Sequence, residues 1–357
     1  MTRPGEEPPR NEPTRDDPAR RIKGFPVPDG PFYPADATID ELLRYGLPPR
    51  PDAGTQPQLR RAWDRVFAQP LVLKPFTFDR GLFERVTYLI KPRIPNTAAR
   101  LQSRTESSSN WSGAYITANR GRRFGQVWGT FNIPDNLKIP PPPLQGDPGK
   151  DHRAACWIGL DGQRRYFNSS LPQIGVTSIL ETGGGRRAEA WVQWYARGEQ
   201  AVHQVTLPLA VSPGQTVACV LRVTAPQEVV CSITNLSSGA ATMSVTFTPP
   251  LAALPGGGFA YPDVSGATAE WIVERSRAVN NPHLDNFPDY GQVRFDDCLA
   301  VEGDTPSSPP VGGLTMTLKG ARAIRMFDVL QGPARAQYIS MPRKVEATTL
   351  RMRYGGF

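Results

Sequence analysis

From Trp111 onward the chain alternates apolar and polar side chains with a period of two. In Glu189-Ala190-Trp191-Val192-Gln193-Trp194-Tyr195 the alternation puts Glu189, Trp191, Gln193 and Tyr195 on one face of an extended strand. Strand-like runs recur at Gln126 to Ile133, Ala154 to Leu160, His203 to Ala210, Thr216 to Thr224, Glu228 to Leu236 and Ala241 to Phe247. They continue through Thr268 to Glu274, Gly291 to Leu299, Leu314 to Leu318 and Ala323 to Val329. Turn residues separate them, as at Ser212-Pro213-Gly214, Ala225-Pro226, Ser237-Ser238-Gly239 and Pro255-Gly256-Gly257-Gly258. Many short strands without helical periods between them predict an all-β fold, an antiparallel sandwich or barrel.

The first hundred residues follow another pattern. They hold 17 of the 38 prolines, and residues 1–36 show almost no apolar periodicity, which predicts a disordered tail. Thr38-Ile39-Asp40-Glu41 is a capping-box pattern that opens a short helix ending at Gly46. Pro57 starts a second helix, whose Leu59, Trp63 and Phe67 recur at i, i+4 and i+8 as one apolar stripe. The stripe requires a packing surface, and the β domain supplies the obvious one. Lys91 to Asn110 reads as a linker. The predicted organisation is a tail over 1–36, an extension over 37–105 and a β domain over 106–357.

Composition narrows the chemistry. The formal charge is +8, but the basic residues are mostly Arg interleaved with acids and form no phosphate-tracking patch, so no nucleic-acid partner is expected. No stretch approaches the ~20 apolar residues of a membrane span, and the N-terminus lacks the apolar core of a secretory signal. Cys156, Cys219, Cys231 and Cys298 include no C-x-x-C pair. Cys219 and Cys231 flank a predicted hairpin, where buried free thiols are favoured over a disulfide. His152, His203 and His283 are far apart, and no G-x-S-x-G, H-E-x-x-H or P-loop occurs. Neither a metal nor a cofactor is expected. Chemistry here falls to carboxylates, amides and aromatics.

Seven segments then fix the direction: SSSNWSGAYI (107–116), VWGTFNIP (127–134), CWIGLDG (156–162), LPQIG (171–175), AEAWVQWY (188–195), ITNLSSG (233–239) and TAEWIVE (268–274). In order and spacing they resemble the glutamic peptidases called eqolisins, over about 107–300. The resemblance implies two packed seven-stranded antiparallel sheets, with a substrate groove on a concave face. It also implies a catalytic pair, a Gln in L-x-Q-x-G and a Glu in A-E-[FW]-I-[IV]-E, which fall here at Gln173 and Glu270. By the same match Trp111, Trp157 and Asp161 are expected at the groove, with Glu189, Trp191 and Gln193 as further substrate-binding candidates. The implied partners are protein or peptide substrates of a monomeric enzyme, and secretion is suggested only by the family.

Such a pair is chemically sufficient for amide hydrolysis. An ionised Glu270 accepts a proton from water and returns it to the leaving amine, and the Gln173 amide donates to the oxyanion, a contribution of ~3–4 kcal/mol. A carboxylate base also stays usable in acid, where a His is protonated. Two positions depart from the best-known members: Thr177 and Gln193 stand where they carry Asp and Glu. Fewer carboxylates predict a lower Glu270 pKa than in the fungal enzymes, and an optimum that is acidic or broader. The basic N-terminal segment, 18 Lys/Arg against 13 Asp/Glu over 1–105, fits either a propeptide released in acid or a permanent packing extension. A different class of function, a non-catalytic sandwich binding carbohydrate or peptide on its Trp-lined face, shares the aromatic set but gives no reason for both dyad members.

Overall fold

A computed structural model describes residues 17–81, 88–89, 105–142, 144, 146–162, 170–196, 204–253, 257–278, 284–305, 313–329 and 336–356. In chain order the elements begin with α1 (Pro18–Arg21), β1 (Ile22–Gly24), α2 (Ile39–Arg44), α3 (Pro57–Phe67), β2 (Val72–Leu73) and β3 (Tyr88–Leu89). There follow β4 (Thr105–Ser108), β5 (Trp111–Thr117), β6 (Arg123–Asn132), β7 (His152–Leu160), β8 (Ser170–Leu180), β9 (Arg186–Ala196) and β10 (Val205–Thr206). Next come β11 (Thr216–Ala225), β12 (Glu228–Asn235), β13 (Ala241–Phe247), β14 (Ala252–Ala253), β15 (Phe259–Ala260), β16 (Thr268–Glu274) and β17 (Arg277–Ala278). The chain ends with β18 (Gln292–Gly303), β19 (Leu314–Met316), β20 (Arg322–Val329), β21 (Ala336–Lys344) and β22 (Leu350–Tyr354).

Strand pairing defines two layers. The front sheet runs β9-β8-β7-β16-β5-β20-β21, and the back sheet runs β13-β12-β11-β6-β18-β22. β21 also pairs with β22 and so joins the two layers at one edge. All these pairings are antiparallel, as the alternation predicts; β2 on β13 and β4 on β20 are parallel additions. Between the layers lies the main core, where Ile158, Ile174, Trp194 and Trp271 of the front sheet meet Phe131, Val217, Leu221 and Phe295 of the back sheet.

Alternation leaves each sheet with an outer face, and the two are treated differently. On the back sheet Trp128, Ala218, Val220, Leu299 and Val301 point outward and are covered by Leu59, Trp63, Val66 and Phe67 of α3 with Leu42 of α2. The helices form as the sequence predicts: Thr38 Oγ1 accepts from the Glu41 amide and Glu41 reaches back to the Thr38 amide. Pro57 opens α3 at its first position. The Trp63 indole donates to Pro48 O at 3.0 Å, so its one polar atom is satisfied inside the apolar layer.

Two expectations for the N-terminal third are corrected. The tail expected to be disordered over 1–36 is ordered from residue 17: β1 extends the back sheet beside β13, with Ile22 opposite Phe247, because a short apolar segment finds an open sheet edge. The linker expected over 91–110 ends in β4, whose Thr105–Ser108 pairs with Ala323–Met326. Residues 1–16 and 90–104, like His203 and His283, lie outside the described residues. All four cysteines are buried and free; Cys219 stands opposite Ile233, two pairs along from Cys231, which stands opposite Leu221.

Candidate active site

Strand register brings the predicted pair into one row. Gln173 of β8 is opposite Gly159 of β7, and Gly159 is opposite Glu270 of β16. Directly opposed residues project to the same side of a sheet. The row continues to Gln193 of β9 beyond Gln173, and to Tyr115 of β5 and Arg322 of β20 beyond Glu270. Gln173 and Glu270 are therefore two strands apart, ~10 Å between Cα atoms, with a residue lacking a side chain between them. A Cβ at Gly159 would sit 3.0 Å from Leu171 Cδ1 and 3.1 Å from Trp157 Cζ3, so the space above it is already shared.

The next row holds the aromatics. Trp191, Gly175, Trp157, Ile272 and Gly113 are in register across β9, β8, β7, β16 and β5. Gly175 is required beside Trp157: a Cβ there would fall 2.5 Å from the Trp157 Cβ and 2.3 Å from Cys156 O. Trp111 meets Trp157 edge to face at 5.1 Å between ring centroids. With Tyr115, Ala155, Leu171, Ile272 and Ile324 these rings form a cluster separate from the main core.

The polar groups of the face divide into satisfied and unsatisfied. Glu270 Oε1 accepts from Thr268 Oγ1 at 2.5 Å, whereas Oε2 is buried without a partner. Gln173 Nε2 donates to Gln193 Oε1 at 3.0 Å, whereas its Oε1 is also buried without a partner. Unpaired buried oxygens are costly, and two of them stand here in one row. Burial raises the Glu270 pKa well above the usual carboxylate range and nearby Asp161 adds to this, against the Thr268 hydrogen bond. Both dyad side chains are 0% exposed, so a peptide reaches them only after this face is uncovered.

The remaining sequence candidates occupy distinct places. Trp111, Trp157 and Trp191 lie on the dyad face, and Trp191 Nε1 donates to Thr177 Oγ1 at 2.9 Å, which gives the departure at 177 a partner. Gln193 holds the Gln173 amide. Asp161 is close enough to Glu270 to raise its pKa, and a loop occupies its carboxylate. Its carboxylate accepts from the Ser265, Gly266 and Ala267 amides and from Ser265 Oγ at 2.7–3.2 Å. Asp161 thus ties the turn after β7, where its own φ is 67°, to the loop that leads into β16. Glu189 sits two rows from the dyad and pairs with Arg187.

The sequence reading missed Glu274, Tyr115, Gly159 and Thr268. Glu274 follows Glu270 by four in a strand, hence shares its face, and that spacing was the available signal. Tyr115 Oη donates to Glu106 Oε1 at 2.6 Å. Among the described residues no three His, Cys, Asp or Glu side chains are grouped to hold a metal, and no helix is long and apolar enough to cross a membrane.

The fold is an all-β sandwich with an amide and a carboxyl brought into one row of its front sheet. The chain belongs to the Peptidase A4 family, the glutamic peptidases, whose sequence profile matches residues 109–332; it is a glutamic-type endopeptidase acting on peptide substrates. It is similar to scytalido-glutamic peptidase solved with a peptide-based transition-state analog, at 18% identity and a TM-score of 0.49 over 69% of this chain and 98% of that one. It is also similar to SCP-B, an eqolisin solved with the tripeptide Ala-Ile-His (19% identity, TM-score 0.46, 69% and 98% covered). Aspergilloglutamic peptidase from Aspergillus niger is similar at 22% identity and TM-score 0.42, with 57% and 99% covered. No curated protein sequence matches this chain.

Proposed function

We propose that the chain cleaves peptide bonds at acidic pH by a Gln173/Glu270 dyad acting on water. The observation that carries this reading is the single row with Gly159 between the two residues and one unpartnered oxygen on each. Glu270 Oε2 takes a proton from water held by Gln173 Oε1 and later delivers it to the leaving nitrogen. One N–H of Gln173 is fixed by Gln193; the second is left for the developing oxyanion. Glu274 is the rival base on this face, but both its oxygens already accept hydrogen bonds, from Asn110 and Trp157. Trp111, Trp157 and Trp191 line the peptide's path.

Burial keeps Glu270 neutral while the face is closed. Uncovering it admits water, returns the carboxyl toward its ordinary range and supplies the ionised base in acid. Neutral Thr177 and Gln193 remove two charges that would oppose that ionisation, so the optimum is acidic and broad. We read residues 17–81 as a permanent part of the fold, because α3 shares a core with the back sheet. Any cut in acid then falls within 82–104 and leaves the N-terminal piece bound. Casein and peptide cleavage between about pH 2 and 7, with pepstatin present, tests the function. Activity that peaks in acid and falls ~10²–10³-fold in Gln173→Ala supports it. Full activity in that variant removes Gln173 from the mechanism.

A further inference from the structure

Glu274 is fully buried on the dyad face, and its hydrogen bonds run in one direction. Asn110 Nδ2 donates to Oε1 at 2.9 Å and Trp157 Nε1 donates to Oε2 at 2.8 Å. Asn110 is held in turn by Ser108, whose hydroxyl donates to Asn110 Oδ1 at 3.1 Å and accepts from the Asn110 and Trp111 amides. The Glu274 carboxyl therefore links β16 to the turn between β4 and β5 and to β7. Burial lifts its pKa to about 8 against the opposing pull of the Trp111, Trp157 and Asn110 side chains.

The far edge of the same indole reaches the catalytic row. Trp157 Cζ3 lies 3.1 Å from the Cβ position of Gly159, the residue between Gln173 and Glu270. Trp111 packs against the Trp157 indole edge to face at 5.1 Å, and the Trp157 backbone lies against Gly175. The ring has one remaining polar tether, the bond to Glu274. We propose that Glu274 is a positioning residue: by holding the Trp157 indole it sets the gap above Gly159 in which Glu270 and Gln173 meet a peptide. This rests on the dyad reading. An apolar side chain at 274 would fill the space yet leave the indole N–H buried and unpaired, which favours a tilted ring. Small displacements at a reacting centre cost much more in rate than in binding.

A mutant cycle in the full-length chain tests this, assayed by peptide cleavage in acid below the melting temperature of every variant. Trp157→Phe keeps a ring but removes the donor, and Glu274→Gln and Glu274→Ala remove the acceptor pattern. Each single change is expected to lower kcat about tenfold to a hundredfold with KM within about threefold. In the Trp157→Phe background, Glu274→Ala is expected to cost less than about twofold more, because its effect passes through the missing N–H. Losses that multiply across the cycle overturn the proposal. So does a lowered melting temperature with unchanged kcat, the result of a merely structural role. Restoring the bond geometry offers a second check: Glu274→Asp should recover part of the kcat lost in Glu274→Ala, and no recovery counts against positioning. Glu270→Gln, run beside the cycle, separates the two readings: if it stays active the dyad assignment fails, whatever the coupling between 274 and 157.

Discussion

The outer faces of the two sheets begin from the same alternation and end as opposites. On the back, Trp128, Val220, Leu299 and Val301 are apolar, and the chain covers them with α2 and α3. On the front, Gln193, Gln173, Glu270, Tyr115 and Arg322 make a polar row beside a Trp cluster, with two buried oxygens unpaired. On the back, the Trp63 indole is satisfied through Pro48 while that of Trp128 is buried without a partner. On the front, the unpaired atoms include a carboxyl and an amide oxygen, and Thr268 holds the other oxygen of Glu270. Burial alone does not separate the two, since Trp63, Trp157, Gln173 and Glu270 are all fully buried.

The contrast can be broken at the back first. Trp63→Ala removes a fully buried side chain that the front face does not use. It should cost ~3–5 kcal/mol of stability, visible as a lower urea midpoint, while the folded fraction keeps its specific activity. A loss of kcat without loss of stability would tie the back layer to the chemistry.

The front face predicts an unusual pH dependence of stability. Glu270 and Glu274 have folded-state pKa values above their unfolded ones, Glu274 at about 8. The native state therefore holds extra protons; the stability they represent is full below about pH 4.5, and the Glu274 share is lost as pH rises through about 8. The melting temperature should fall between pH 5 and 8 by the equivalent of a few kcal/mol. Carboxylates such as Glu41 and Asp52, lowered by amide hydrogen bonds from Thr38 and Thr55, act in the opposite sense and weaken the fold only below about pH 4. A melting temperature that rises from pH 5 to 8 contradicts the burial of the two acids.

The smallest expected effect sharpens the row itself. Gly159→Ala adds one methyl beside Trp157 and Leu171 at 3.0–3.1 Å. It should lower kcat/KM roughly tenfold and cost about 1–3 kcal/mol of stability. No kinetic effect would mean that the gap between the dyad members is not where the peptide is cut.

Much of this is legible in the amino-acid sequence. Period-two alternation pointed to an antiparallel sandwich or barrel and the family resemblance to two layers, the capping box at Thr38 and Pro57 marked α2 and α3, and the stripe Leu59-Trp63-Phe67 called for a surface to cover. Elimination of His and Cys chemistry, with the ordered motifs, pointed to Gln173 and Glu270. What stayed hidden depends on register and partners. β1 joins β13 through a three-residue run too short for any period to show. Asp161 stands in a conspicuous motif but satisfies loop amides, a role decided by backbone groups a hundred residues away. Gly159 mattered only once the strands were aligned, and Glu274 only once its two donors were known.

The most direct test of the dyad is Glu270→Gln, which keeps the shape and the Thr268 contact but removes the base. With the far-ultraviolet circular dichroism and melting temperature of the native chain retained, kcat at the optimal acidic pH should drop by ~10²–10⁴-fold. A variant that folds normally and cleaves within about tenfold of the wild-type rate would contradict the assignment of Glu270 as the base.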